Sequence, residues 1–315
     1  MEKHSETQHH HHHDASALSG KKIFWVTLLN ATITTTEVIG GLLSGSLALL
    51  SDAMHNLSDT LAIALSYVAN KISRRPNNER KTFGYKRAEI LAAFINSGVL
   101  LILSGVLIYE GIQRFFNPEP IDGLLLIIVA VIGLVANLLS VLFLKKDSKE
   151  NLNIKASYLH LLSDTISSVG VVLGGIAIML WQIRWIDPII TILIALYIMR
   201  EAWHVVKDTV NILMQSSPEL DYNDILEDIK KIQHVKGIHH VHAWMTDEHN
   251  IYFEAHVDLA DLPLSDVDRI LCEIECYLKE HHDISHVTLQ PEFNREDEKS
   301  MFCSKHTKEK ENHGN

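Results

Sequence analysis

The chain has 315 residues, 47% of them hydrophobic, and a formal charge of −11. A mean hydropathy of only +0.07 averages two different regions, because the apolar residues concentrate between about 23 and 206 and the remainder reads as soluble sequence. The acidic balance argues against a nucleic-acid binder, which presents basic patches to phosphate. Three cysteines, Cys272, Cys276 and Cys303, form no CxxC pair, so a disulfide framework is not expected.

In chain order, the first 20 residues carry His4 and the run His9 to His13. That run reads either as a purification tag or as a natural metal-collecting tail. The first apolar run begins near Ile23 and has no small-residue cleavage site after it, so it reads as a span and nothing is expected to be removed.

A bilayer core needs roughly 20 apolar residues as helix. Six stretches qualify, at about 23–43, 47–70, 89–115, 121–144, 156–181 and 185–206, within a membrane domain at 21–206. Ser44-Gly45-Ser46 leaves the first two joined by a tight hairpin, and Asn117-Pro118-Glu119-Pro120 breaks the chain between the third and fourth. The loop after the second span holds Lys71, Arg74, Arg75, Arg80, Lys81, Lys86 and Arg87, and that after the fourth holds Lys145, Lys146, Lys149 and Lys155. The opposite side offers Arg114 and Arg184. Short loops rich in Lys and Arg stay in the cytoplasm, so both termini are expected there.

Residues 207–293 follow a different pattern. Tyr222, Ile225, Leu226, Ile229 and Ile232 recur at helical spacing, as do Val267, Ile270, Leu271, Ile274 and Leu278. Ile251, Phe253, Ala255, Val257 and Leu259 alternate with polar residues as a half-buried strand does. With strands at about 238–245 and 286–291 the order is αββαβ, a ferredoxin- or metallochaperone-like α+β module with helices on one sheet face. Residues 294–315 form a polar tail. The expected fold is thus an all-α six-helix transmembrane bundle followed by a small cytoplasmic α+β domain.

Ionisable residues inside spans are costly and are functional candidates by default. The second span contains His55 and Asp59, and the fifth contains His160 and Asp164. Positions i and i+4 share a helix face, so each span offers one imidazole and one carboxylate in the same direction. Two such helices side by side supply four ligands, which suits tetrahedral zinc. Polar glue between helices is the alternative, and two bare carboxylates near one another would serve it poorly. Asp52, Glu37 and Asn137 either orient these ligands or make simple interhelical contacts.

Gly45-Ser46-Leu47-Ala48-Leu49-Leu50-Ser51-Asp52-Ala53 leads into His55 and Asp59, Thr82-Phe83-Gly84-Tyr85-Lys86-Arg87-Ala88-Glu89 precedes the third span, and His160 is followed by Asp164. In these segments the chain resembles the cation diffusion facilitator family, which includes bacterial zinc and cadmium exporters and vertebrate zinc transporters. The resemblance runs from Ile23 to about Glu292. It implies a homodimer joined through the cytoplasmic module, and export of zinc, cadmium or cobalt in exchange for protons. It implies no prosthetic group; zinc is the transported substrate and a possible regulatory ligand. Some members carry a further zinc site in the loop between the second and third spans, but residues 71–87 contain no histidine, so that site is not expected.

His239 and His256 match positions at which relatives bind cytoplasmic zinc, and His242 and His286 are further candidates among the histidines of this module. Each can equally be structural or solvated. Strand alternation places His240, His242 and Trp244 on one face and His239 on the other, so they are not expected to share one ion. Glu292, Cys303 and His306 resemble a carboxylate and CxxC tail that binds zinc in some animal relatives, although only one of the two cysteines is present. Cys272 and Cys276 are expected in the core rather than as ligands. No HExxH occurs, which argues against a zinc protease.

Overall fold

The computed structural model describes the backbone of residues 15–145, 152–295 and 300–302, and their side chains apart from 15–27, 143–144, 152–157 and 160. The expected N-terminal histidine tail and the pair Cys303 and His306 lie outside the described residues. Six long helices come first, α1 (Ala15–Ser44), α2 (Leu47–Ser73), α3 (Arg87–Phe116), α4 (Gly123–Leu144), α5 (Leu152–Trp181) and α6 (Ile186–Leu213). They are followed by α7 (Tyr222–Lys230), β1 (Val235–Met245), β2 (Ile251–Leu259), α8 (Leu264–His281) and β3 (Ile284–Glu292). Contacts divide the chain into two compact units, one formed by residues up to Leu65 with Ile95–His204, the other by Ser66–Phe94 with Val205 onward.

Among the described residues, four helices, from α3 to α6, are long and apolar enough to cross a membrane. α2 is diluted by Asp52, His55, Asn56 and Asp59, and the side chains of α1 are described only from Leu28. In the first unit α4 packs against both α5 and α1. Its core joins Ala48 and Leu49 of α2 to Leu126, Val129 and Ala130 of α4 and to Val171 and Ile178 of α5. Large apolar side chains such as Ile102, at 69% exposure, face outward, as a lipid-facing surface requires.

The Ser44-Gly45-Ser46 connection turns because Gly45 adopts φ +72, a left-handed conformation that costs glycine little. The first N–H groups of a helix have no partner within it. For α2 they are met by Asp187 of α6, a buried carboxylate that accepts from the Ser46 hydroxyl and from the backbone of Leu47 and Ala48. Arg114, at the end of α3, donates to the Gly45 carbonyl and pairs with Glu119.

α6 continues past the expected end at 206 to Leu213. The helix stops where Gln215 takes φ +58 and Ser216-Ser217-Pro218 follows, a sequence that cannot continue it.

In the second unit the sheet order is β1-β2-β3, with β1 antiparallel and β3 parallel to β2. A parallel neighbour needs a crossover, and α8 provides it. Ile225 and Ile229 of α7 and Ile270, Ile274 and Leu278 of α8 close over Ile238, Val241, Phe253, Ala255 and Val257 of the sheet. Tyr277 of α8 donates a hydrogen bond to Asp228 of α7, which also pairs with Lys231; both bonds hold the Asp228 carboxyl below its ordinary range, Lys231 more strongly.

Two expectations fail in this unit. Cys272 and Cys276 are exposed, not in the core. The buried stripe of α8 runs through Ile270, Ile274 and Leu278, and the cysteines lie two positions away from it on the helix. The alternation expected along β1 also breaks. His239 pairs with His256 and His242 with Glu254, so two residues of β1, His240 and Val241, oppose Ala255 alone. Such a bulge adds one residue and shifts the facing of the strand. His240 absorbs it at φ +52; His239 and His240 come beside His256, and His242 lies against His240.

Candidate metal centres

Helical periodicity sets one turn between His55 and Asp59 on α2, and Asp164 of α5 comes to meet them. The His55 Nε2 lies 3.3 Å from Asp164 Oδ1 and 3.8 Å from Asp59 Oδ2. One ligand atom from each of the three falls within 4.8 Å of the others, close enough to bind one ion. Asp164 is buried, and His55 and Asp59 are half-buried. His160 lies one turn before Asp164 on α5, and its side chain is outside the described residues.

A polar layer adjoins this cluster. Asp52, buried on α2, accepts from the Ser167 hydroxyl at 2.9 Å and the Ser168 hydroxyl at 3.2 Å. Asn137 of α4 donates to Ser168 at 3.2 Å, so one chain of hydrogen bonds joins α4, α5 and α2. Glu37 of α1 accepts from Asn56 at 2.9 Å. None of Asp52, Glu37 or Asn137 enters the three-residue cluster; each touches a helix that carries it. Ser167, Ser168 and Asn56 were not singled out from sequence. Their signal was available, since Asn56 adjoins His55 and the two serines follow Asp164 by one turn.

The second cluster lies on the polar face of the sheet. His239 Nε2 is 3.3 Å from Glu292 Oε2, and His256 Nδ1 is 2.9 Å from Glu292 Oε1. Ligand atoms of the three lie within 4.8 Å of one another, and Asp258 stands 3.5 Å from His239 Nδ1. His239 is 2% exposed, yet among the described residues neither of its ring nitrogens has a hydrogen bond, and Glu292 Oε2 has none either. Buried polar atoms left in this way are costly, and a cation held between two imidazoles and a carboxylate would satisfy them, so these residues fit a zinc ion. Glu292 Oε1 also receives Gln290 and Arg295.

The other histidine candidates stand apart from this cluster. His242 is exposed, with its ring 5.0 Å from that of His240. His286 is exposed and lies against Tyr252 at 4.9 Å. The proximity of Asp258 depends on its pairing with Glu292 across two strands, which no local pattern displays, whereas Gln290 and Arg295 are sequence neighbours of Glu292.

Residues 23–214 match the family of cation efflux transmembrane domains, and residues 217–293 that of cation efflux protein cytoplasmic domains. The chain is 39% identical over 295 residues to the zinc transporter ZitB of Escherichia coli, covering 92% of each protein. It is 39% identical over 279 residues to a cadmium, cobalt and zinc/H(+)-K(+) antiporter of Bacillus subtilis, covering 87% of this chain and 89% of that one. With the cation efflux system protein CzcD of an Alcaligenes strain, identity is 35% over 263 residues and 83% of each chain.

Proposed function

The chain belongs to the cation efflux, or cation diffusion facilitator, family, and from that premise we propose that it exports zinc, and with it cadmium or cobalt, from the cytoplasm in exchange for protons. The transport ligands are His55, Asp59, His160 and Asp164. The observation that carries this reading is the position of His55, whose Nε2 faces a carboxylate of its own helix and a carboxylate of α5. A divalent ion bound by two carboxylates and two neutral imidazoles has no net charge, which is the state a membrane interior tolerates. When the ion leaves, protons on the same four side chains restore that balance. Metal and protons therefore compete, and metal affinity falls as pH falls.

Imidazole favours zinc and its neighbours over manganese or magnesium, which prefer oxygen donors. The names of the relatives, zinc transporter and cadmium, cobalt and zinc antiporter, support the same choice. Four protein ligands close the coordination shell, whereas a hydrolytic site keeps a position open for water, so the chain is not an enzyme. The six long helices are six spans of the cell membrane, with both termini in the cytoplasm on the Lys and Arg count of the loops. The 207–293 domain joins two copies into a homodimer. Asp52, Glu37 and Asn137 brace the helices that carry the ligands.

His239, His256 and Glu292 hold a regulatory zinc ion, which when bound cross-links the strands that carry them. Uptake by purified protein in vesicles, measured for zinc, cadmium, cobalt and manganese in turn, tests the reading. Flux of the first three, lost on removal of Asp59 or Asp164, is expected. Absence of flux with intact metal binding would point to a sensor instead.

A further inference from the structure

The connection between α2 and α3 does more than carry charge. Asn78 and Lys81 exchange backbone hydrogen bonds, the Asn78 side chain accepts from the backbone of Arg80 and Lys81 and donates to Tyr85, and Gly84 turns at φ +76. Glu89 accepts from Asn70 and Ser73, fastening the start of α3 to the end of α2. The Phe83 ring stands edge-on to Tyr252 at 5.4 Å, and Tyr252 stacks on Trp244 at 5.7 Å. The loop is thus folded around fixed hydrogen bonds and an aromatic wall.

Two cavities adjoin this wall. The larger, about 510 Å³, is lined by Arg80, Lys81, Lys86 and Arg87 together with Trp244. The smaller, about 390 Å³, adds Arg75 and shares Lys86. Among the described residues none of these five cations forms an ion pair; the pairs that do form involve other Lys and Arg residues. Asp247 is attracted to Lys86 through space, but its carboxylate is engaged by Asn250 and the backbone of His249.

Membrane orientation requires only that such loops contain Lys and Arg. It does not require five cations, none in an ion pair among the described residues, to line two adjoining cavities on an ordered loop. Convergent Arg and Lys donors are the chemistry of phosphate recognition. Basic pockets on the cytoplasmic side of a membrane hold anionic headgroups.

We propose that these cavities bind a phosphate-bearing anion, and that in the membrane it is the headgroup of an anionic phospholipid. The assignment to the cytoplasmic leaflet rests on the orientation given under Proposed function; the phosphate chemistry does not.

The test uses the full-length protein reconstituted in vesicles of phosphatidylcholine and phosphatidylglycerol, with retained lipid measured by native mass spectrometry. Selective retention of phosphatidylglycerol is expected, and added inorganic phosphate should not displace it. Lys81→Gln with Lys86→Gln should reduce that retention by roughly 30-fold, the effect of two cations at a membrane surface. Arg80→Gln alone, on the exposed loop, should reduce it by several-fold. Lys71→Gln with Lys145→Gln removes the same charge outside the cavities and should leave retention unchanged. Equal retention of both lipids, or equal loss in the two double variants, overturns the site. Displacement by inorganic phosphate overturns the lipid assignment. Zinc flux in phosphatidylcholine vesicles is read separately, so a failed transport reading and a failed lipid site are distinguishable.

Discussion

The His55 Nε2 stands 3.3 Å from Asp164 Oδ1, an approach between α2 and α5 that brings a carboxylate of one helix to the imidazole of another. Asp164→Asn preserves the shape of the side chain and removes its charge, leaving a loaded site with an uncompensated positive charge at membrane depth. The expected loss of zinc affinity exceeds the about 10–100-fold that follows disturbance of an outer partner. Zinc uptake into vesicles and equilibrium binding measure it, and wild-type values for both would remove Asp164 from the ligand set.

Selectivity is expected to follow the donor atoms. His55→Asp makes the α2 pair all oxygen, which favours harder ions. Manganese transport should rise relative to zinc, and zinc affinity should fall. An unchanged ratio of the two fluxes would show that His55 is not a ligand.

Gly133 of α4 offers a structural test of the bracing around the site. A Cβ at that position would come 2.2 Å from Glu37 Oε1, so alanine must displace a buried carboxylate whose other oxygen accepts from Asn56, the neighbour of His55. Overpacking of this kind costs about 1–3 kcal/mol, and zinc flux should fall with it. At Gly98 and Gly105 a Cβ meets nothing within 4 Å, and alanine there should be neutral or stabilising by up to about 1 kcal/mol. Equal thermal stability for Gly133→Ala and Gly105→Ala would refute the contact.

The contrast between these sites shows what periodicity alone can supply. The shared face of His55 and Asp59 follows from a helical repeat, and the order αββαβ follows from switches between helical and alternating patterns. The meeting of α2 with α5, and the choice of Ser167 and Ser168 as partners of Asp52, depend on packing that no local pattern encodes. His239 lies on the face opposite to the one strand alternation predicts, because one inserted residue reverses parity, and a bulge has no reliable signature in a single sequence. Cys272 and Cys276 depart from expectation for another reason. Cysteine is commonly buried, but both residues lie two positions from the buried stripe of Ile270, Ile274 and Leu278, a separation that the sequence displays.

The cytoplasmic cluster should respond to metal independently of transport. At a zinc concentration a hundredfold above its dissociation constant, a single site stabilises the folded domain by about 2.7 kcal/mol. Chelation should remove that increment, and His239→Ala or Glu292→Gln should abolish it while zinc uptake by the membrane site persists. Zinc-dependent thermal stabilisation that survives both substitutions would place the ion elsewhere.

The exchange of zinc for protons is tested most directly in vesicles whose cytoplasmic protein face points outward, with zinc and internal pH followed together. An acidic interior should accelerate zinc entry, and the lumen should become more alkaline as zinc enters, because each ion delivered is replaced by protons on the same side chains. Zinc flux that ignores the imposed pH difference, with no accompanying proton movement, would contradict the account and leave a zinc uniporter in its place.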